Sequence, residues 1–139
     1  MGMGFKVYVA GLYGKAPSST ADDWLNSSDP QSLVLVFLRS VDGKTLSEAW
    51  TEGFTKNCGE VCESEKANIT AFNKLMVDVK DGSRLQLDFD AKGVEVTMIG
   101  KTKSTGRIDS VAFRKALLSI FIGQHPPTED LKKGLLGLN

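Results

Sequence analysis

This chain of 139 residues has few of the side chains on which metal and nucleophile sites depend, with one histidine and two cysteines. A structural zinc site draws on four such ligands, so His125, Cys58 and Cys62 do not complete one. The chain also lacks a nucleophile elbow, a Walker loop and a dinucleotide-binding glycine fingerprint. We therefore expect no metal centre, no catalytic residue of these kinds and no cofactor, and we interpret His125 as a loop or cap residue.

The chain also has a formal net charge of zero, because it contains 17 Lys+Arg and 17 Asp+Glu residues. Nucleic-acid binding relies on a basic patch that faces phosphates, so the composition predicts no nucleic-acid partner. No apolar run approaches the roughly 18 residues that span a bilayer, and the chain is not expected to cross a membrane. A content of 41% apolar and 24% charged residues is typical of a globular protein. The length predicts one domain over residues 1–139.

The two cysteines, in C-x-x-x-C spacing, allow two interpretations. Unpaired thiols are favoured, because a buried cysteine behaves as a small apolar side chain. A local disulfide in an oxidising compartment is the alternative. The opening Met-Gly-Met-Gly looks like a start placed on a trimmed chain. We expect a periplasmic protein if an export signal has been removed, and a cytoplasmic protein otherwise.

The strongest pattern in the chain is a helix predicted over residues 109–123. Asp109 or Ser110 can cap its start by accepting a backbone N–H bond. Over residues 117–122 the segment is apolar on all sides, which predicts a buried helix. Gly123 is expected to end the helix in the left-handed conformation.

The remaining patterns predict an α+β fold. Residues 5–13 are apolar on both faces, which predicts a central strand covered on both sides. No βαβ repeat occurs, and the late strands follow one another as a meander, which favours an antiparallel sheet with a layer of helices on one face. The other predicted strands are 31–39, 84–90, 94–99 and 102–108, and the other predicted helices are 21–25, 42–57, 64–77 and a short helix after Thr128.

Three segments resemble the chalcone isomerase family, especially its bacterial chalcone isomerase-like branch. They are residues 5–13 (FKVYVAGLY), residues 36–54 (VFLRSVDGKTLSEAWTEGF) and the tail over 93–137. The resemblance implies an open-faced β-sandwich, which agrees with the α+β prediction. The family includes plant enzymes that cyclise chalcones to flavanones, fatty-acid-binding relatives and bacterial members without an assigned reaction. Many bacterial members look exported to the periplasm.

The functional positions of the family's enzymes do not carry over to this chain. Their catalytic tyrosine falls at Leu46, their first-strand threonine at Tyr8, their helix asparagine at Gly53 and their late threonine at Ile120. Their lysine falls at about Phe37, and their arginine lies upstream of the matching strand. Cyclisation needs a cation and polar donors that stabilise developing negative charge. The resemblance therefore implies a mostly apolar site here and no catalytic residues.

A cleft between sheet and helices is the candidate ligand site that the resemblance implies. Apolar lining with few polar groups suits a lipid-like molecule, so we expect a non-catalytic protein that binds a fatty acid or a similar small apolar ligand. The alternatives are an intramolecular lyase of the chalcone isomerase type and a protein-interaction scaffold with a filled core. From the residues alone, plain core is the favoured interpretation of the aromatic positions. The candidate lining residues are Tyr8, Leu46, Trp50, Gly53, Ile120 and Phe121.

Overall fold

A computed structural model describes residues 7–15 and 18–138 of the chain. Within these residues, five antiparallel strands form one sheet in sequence order. The strands are β1 (Tyr8–Gly14), β2 (Gln31–Phe37), β3 (Arg84–Phe89), β4 (Val94–Ile99) and β5 (Lys103–Ile108). The helices are α1 (Ala21–Asn26), α2 (Gly43–Asn57), α3 (Val61–Ser64), α4 (Lys66–Lys74), α5 (Val111–Ile122) and α6 (Glu129–Leu135).

One face of the sheet is buried and the other faces outward, as the alternation in β3 and β4 predicts. Leu35 pairs with Ala10 on one side and with Leu85 on the other, so the buried side chains form rows across the strands. Helices cover this face, and the α+β fold with an open-faced antiparallel sheet is confirmed. No helix in the described part of the chain is long and apolar enough to cross a membrane.

The first strand lies at an edge of the sheet, so its predicted central position is wrong. Among the described residues β1 pairs with β2 alone. Val9 is 41% exposed and Tyr13 is 62% exposed on its outer face. The Tyr13 ring lies back over the backbone of Gly11, where a Cβ would meet its Cζ at 2.8 Å. Apolar residues on both faces are found both in a strand covered on two sides and in an edge strand that its own side chains shield, so this pattern does not distinguish the two. Residues 5–6 of the predicted strand lie outside the described range.

The long C-terminal helix is confirmed as α5, and its capping residue is Ser110, whose Oγ accepts the Phe113 N–H at 3.0 Å. Nearly every large side chain of α5 is buried, as expected for a helix that is apolar on all sides. The predicted left-handed end is wrong, because Gly123 has φ −74°. Glycine is needed there for space instead, since a Cβ would collide with the Ser119 carbonyl oxygen.

The helix predicted over 64–77 is replaced by the short α3 and by α4, which ends at Lys74. The reason is tertiary: Val79 pairs with Val41 in an isolated bridge, so the chain must leave the helix before it. The bridge brings residue 79 back beside the start of α2. There Asp42 accepts the Thr45 N–H at 2.7 Å and caps the helix, as the sequence predicts.

Candidate functional site

The six candidate lining residues lie on α2, α5 and β1 where these elements pack together, and we call them the inner cluster. The spacing of Leu46, Trp50 and Gly53 places them on one face of α2, while Ile120 and Phe121 come from α5 and Tyr8 from β1. Ring centroids of Trp50 and Phe121 are 5.6 Å apart, and those of Tyr8 and Trp50 are 6.3 Å apart. The structure thus joins residues that lie more than a hundred positions apart in the sequence, and their role in ligand binding stays a prediction.

The inner cluster is closely packed in this conformation. Leu46 is 0% exposed, Trp50 and Phe121 are each 1% exposed, and Ile120 is 2% exposed. A Cβ at Gly53 would lie 2.7 Å from Ile120 Cγ2, so isoleucine fills the space that the missing side chain leaves. The cavity beside Gly53 and Ile120 measures about 20 Å³. That volume holds about one water molecule, so a ligand enters here only if α2 and α5 move apart.

The Tyr8 hydroxyl is the unusual polar group of the inner cluster. It is buried and has no hydrogen-bond partner among the described residues. Burial raises the pKa of this phenol, so the group stays a neutral donor at physiological pH. An unsatisfied buried hydroxyl costs about 1–3 kcal/mol. The neighbouring Trp50 Nε1, by contrast, donates to the Met76 sulfur at 3.1 Å.

A buried arginine on α5, Arg114, was not singled out by the sequence analysis. Its guanidinium donates to the Ser27 and Asp29 carbonyl oxygens and lies 5.8 Å from the centroid of the Phe89 ring. Burial lowers the pKa of this guanidinium. These contacts fasten α5 to the 27–29 loop and to β3, so Arg114 acts as a structural anchor. The helix carries two adjacent cations, Arg114 and Lys115, and the structure buries the first and leaves the second exposed, a difference that their residue types do not predict.

A larger concavity, which we call the outer groove, lies on the helix layer and was also missed. Its volume is about 670 Å³, within the range of roughly 300–1,000 Å³ typical of ligand pockets. Its floor is formed by α5, and its walls are formed by α1, α3 and the end of α2. The lining residues include Ala21, Leu25, Lys56, Cys58, Val61, Ala112, Lys115, Ala116, Ser119, Ile122, His125 and Lys132.

The two cysteines form a disulfide in the wall of the outer groove, so the favoured interpretation as unpaired thiols is wrong. Their Cα atoms lie 5.3 Å apart. The pairing follows from the local backbone: α2 ends at Asn57, and Gly59 turns the chain with φ +52°, a conformation that glycine adopts readily. No group of side chains suited to a metal ion occurs among residues 7–15 and 18–138.

An open-faced sheet with helices on one side is the architecture of the chalcone isomerase fold. The chain belongs to the chalcone isomerase-like family, whose model matches residues 1–137. A search of curated proteins found no match. Among solved structures the chain is similar to a fatty-acid binding protein from Arabidopsis thaliana, with a TM-score of 0.72 and 16% identity over 98% of this chain and 81% of the other. At that identity the similarity shows a shared fold.

Proposed function

We propose that this chain is a non-catalytic chalcone isomerase-fold protein that binds a fatty acid or a similar small apolar ligand between the sheet and the helices. The observation that carries the proposal is the buried hydroxyl of Tyr8, which lies among aromatic side chains and has no hydrogen-bond partner within residues 7–15 and 18–138. A carboxylate head group would accept the hydrogen bond that this phenol lacks. The acyl chain would lie against Trp50 and Phe121. The shared fold with the Arabidopsis fatty-acid binding protein supports the proposal.

Binding in the inner cluster requires a more open arrangement than the one described. Because Ile120 fills the space at Gly53, α2 and α5 must separate before an acyl chain can enter. When only a fraction of molecules is open, the apparent affinity falls by that fraction. We therefore expect weak binding that strengthens with chain length, since each fully buried methylene contributes about 0.8 kcal/mol.

The test is calorimetry with a series of fatty acids on the wild type and on Tyr8→Phe. Loss of the hydroxyl should weaken fatty-acid binding, because the head group loses its donor. The same substitution should stabilise the ligand-free protein by about 1 kcal/mol, because it removes an unsatisfied buried group. Tyr13→Phe is the matched control, since that side chain is exposed on the outer face of the sheet. Affinity that is flat along the series and unchanged in Tyr8→Phe would contradict the proposal.

The packing of the inner cluster favours a second candidate, a protein-interaction scaffold with a filled core. This candidate predicts no fatty-acid binding at the inner cluster and no ligand in native mass spectra of the purified protein. The intramolecular lyase is not favoured by any observation, because Leu46 and Ile120 stand where cyclisation needs polar groups. Stereoselective flavanone formation above background in an absorbance assay would revive it.

We also propose a bacterial, periplasmic setting, which the resemblance to the bacterial branch suggests. The disulfide between Cys58 and Cys62 supports it, because such bonds persist in oxidising compartments. Thiol alkylation immediately after cell lysis tests this proposal. Protein that reacts fully without prior reduction would indicate a reducing compartment such as the cytoplasm.

A further inference from the structure

We propose that the outer groove is a separate binding site for a small amphipathic anion, with the tail on the α5 floor and the acidic head near Lys56 and Lys132. The groove is distinct from the inner cluster, because none of the six inner-cluster residues lines it. Its volume of about 670 Å³ contrasts with about 20 Å³ beside Gly53. A ligand can therefore enter the outer groove without separating α2 from α5.

The floor suits an apolar tail because α5 presents short side chains there. Ala112, Ala116 and Ser119 follow one another along a single helix face, and the Ser119 hydroxyl is occupied in donating to the Ala116 carbonyl at 2.6 Å. The same face continues to Gly123, which also lines the groove, and the stripe from Ala112 to Gly123 spans about 16 Å at 1.5 Å per residue. Leu25 and Val61 add apolar walls on the two sides. A medium-length acyl chain matches this slot.

The rim supplies the charge that selects an anion. Three lysines and one aspartate, Asp22, line the groove, in a chain whose net charge is zero. Lys132 is held in place because its Nζ donates to the Gly123 carbonyl oxygen at 2.9 Å, which leaves two of its three N–H donors. Lys56 pairs with Glu52 at 2.9 Å, but both side chains are about half exposed, and such pairs contribute little. A ligand carboxylate can replace Glu52 at small cost.

The loop at the head-group end is fixed on α2 before any ligand arrives. Asn57 Nδ2 donates to the His125 carbonyl oxygen at 2.9 Å, and the His125 N–H donates back to Asn57 Oδ1 at 3.0 Å. The disulfide from Cys58 fixes the adjoining wall. Preorganised walls reduce the ordering cost of binding.

Decanoate, used below its micelle-forming concentration, is the probe for this site. His125 lines the outer groove and is the sole histidine of the chain, so its ring signals in NMR are assigned without ambiguity. Because His125 also borders the small cavity beside Gly53 and Ile120, the Ser119→Phe variant described below decides which site causes its shifts. The Trp50 indole N–H reports on the inner cluster. We expect saturable shifts of the His125 ring and of the Ser119 amide. Affinity should rise roughly two- to fourfold per added methylene, according to how fully each is buried.

Head-group charge and groove shape are tested separately. Decanol and decyltrimethylammonium carry the same tail, and both should bind more weakly than decanoate. Lys56→Met should weaken decanoate binding by roughly two- to fivefold, as expected for one exposed charge. Lys44→Met, on the same helix but outside the groove lining, should leave it unchanged. Ser119→Phe should weaken it at least tenfold by filling the floor, whereas Thr105→Phe on the exposed side of β5 should not.

The outcomes separate this inference from the proposed function. Shifts of Trp50 without shifts of His125 would place decanoate in the inner cluster and overturn the outer-groove site. Shifts of both that lose only the His125 component in Ser119→Phe would support both sites. Equal affinity for the three head groups, or unimpaired binding by a folded Ser119→Phe, overturns the outer-groove site. If neither reporter moves, decanoate binds at neither site.

Discussion

Substituting Gly53 by alanine tests how closely α2 and α5 are packed. The new Cβ would lie 2.7 Å from Ile120 Cγ2, closer than real side-chain contacts allow, so Ile120 or a helix must shift. Overpacking of this kind costs about 1–3 kcal/mol. Alanine has a higher helix propensity than glycine, and this difference alone would stabilise the folded protein by about 1 kcal/mol. We expect Gly53→Ala to lower the free energy of unfolding by about 1 kcal/mol.

A double-mutant cycle with Ile120→Ala isolates the steric part of this effect. Ile120→Ala alone should cost roughly 2–5 kcal/mol, as for other buried aliphatic side chains. In that background the Cγ2 methyl is gone, so Gly53→Ala should stabilise the protein by about 1 kcal/mol through helix propensity. The coupling between the two positions would then be about 2 kcal/mol, within the range measured for residues in contact.

Equilibrium denaturation with guanidinium, followed by circular dichroism under oxidising conditions, measures all four proteins of the cycle. Equal denaturant dependence across the four would show that they unfold from comparable native states. The reasoning is refuted if Gly53→Ala stabilises the protein by the same amount with isoleucine and with alanine at position 120. That result would mean that space exists between α2 and α5 and would favour a ligand cleft over a filled core.

Three further predictions concern stability. Leu117→Ala should lower the free energy of unfolding by roughly 2–5 kcal/mol, because Leu117 is 0% exposed; an unchanged denaturation midpoint and slope would contradict this. Replacing Cys58 and Cys62 by serine should cost about 2 kcal/mol for so short a loop, and a thermal midpoint insensitive to the change and to reductant would argue against the disulfide. Hydrogen bonds from Arg107 lower the pKa of Asp90 in the folded protein. The pair therefore stabilises the fold fully when the pH is above the ordinary carboxyl pKa of about 4, and this stabilisation decreases as the pH falls below that value. The difference in thermal midpoint between wild type and Arg107→Met should therefore shrink on acidification below about pH 4, and a difference that grows there would refute the sign.

The elements that could be predicted are those encoded by neighbouring residues. The helix α5 carries its own cap at Ser110 and its own evidence of burial, so the sequence predicts both its start and its environment. The position of β1 depends on whether another strand pairs with its far side, and its own residues do not report that. The early end of α4 likewise depends on the pairing of Val79 with Val41.

The candidate sites, too, could be predicted only where residues close in sequence, or the family resemblance, encode them, and not where they depend on the packing of separate elements. The resemblance brings Trp50 and Phe121 to one cluster, and the structure brings them into contact. Whether space remains beside them depends on a few tenths of an ångström between Gly53 and Ile120, which no residue pattern encodes. The outer groove is shaped by several helices at once. In the sequence, Lys56 and Lys132 therefore look like ordinary surface lysines, and only the structure shows that both line the same groove.

The helices α2, α3 and α4 form a single excursion of the chain between two adjacent strands. Its ends are joined: the Phe37 N–H donates to the Ser83 carbonyl at 2.8 Å and the Val79 N–H to the Val41 carbonyl at 2.9 Å. An insertion or deletion within the excursion therefore leaves the register of the sheet untouched, and doubling the length of such a loop costs only about 0.6 kcal/mol in closure entropy. Over evolutionary time, this arrangement lets the cover of the cleft change in length and composition while the strands beneath it stay the same.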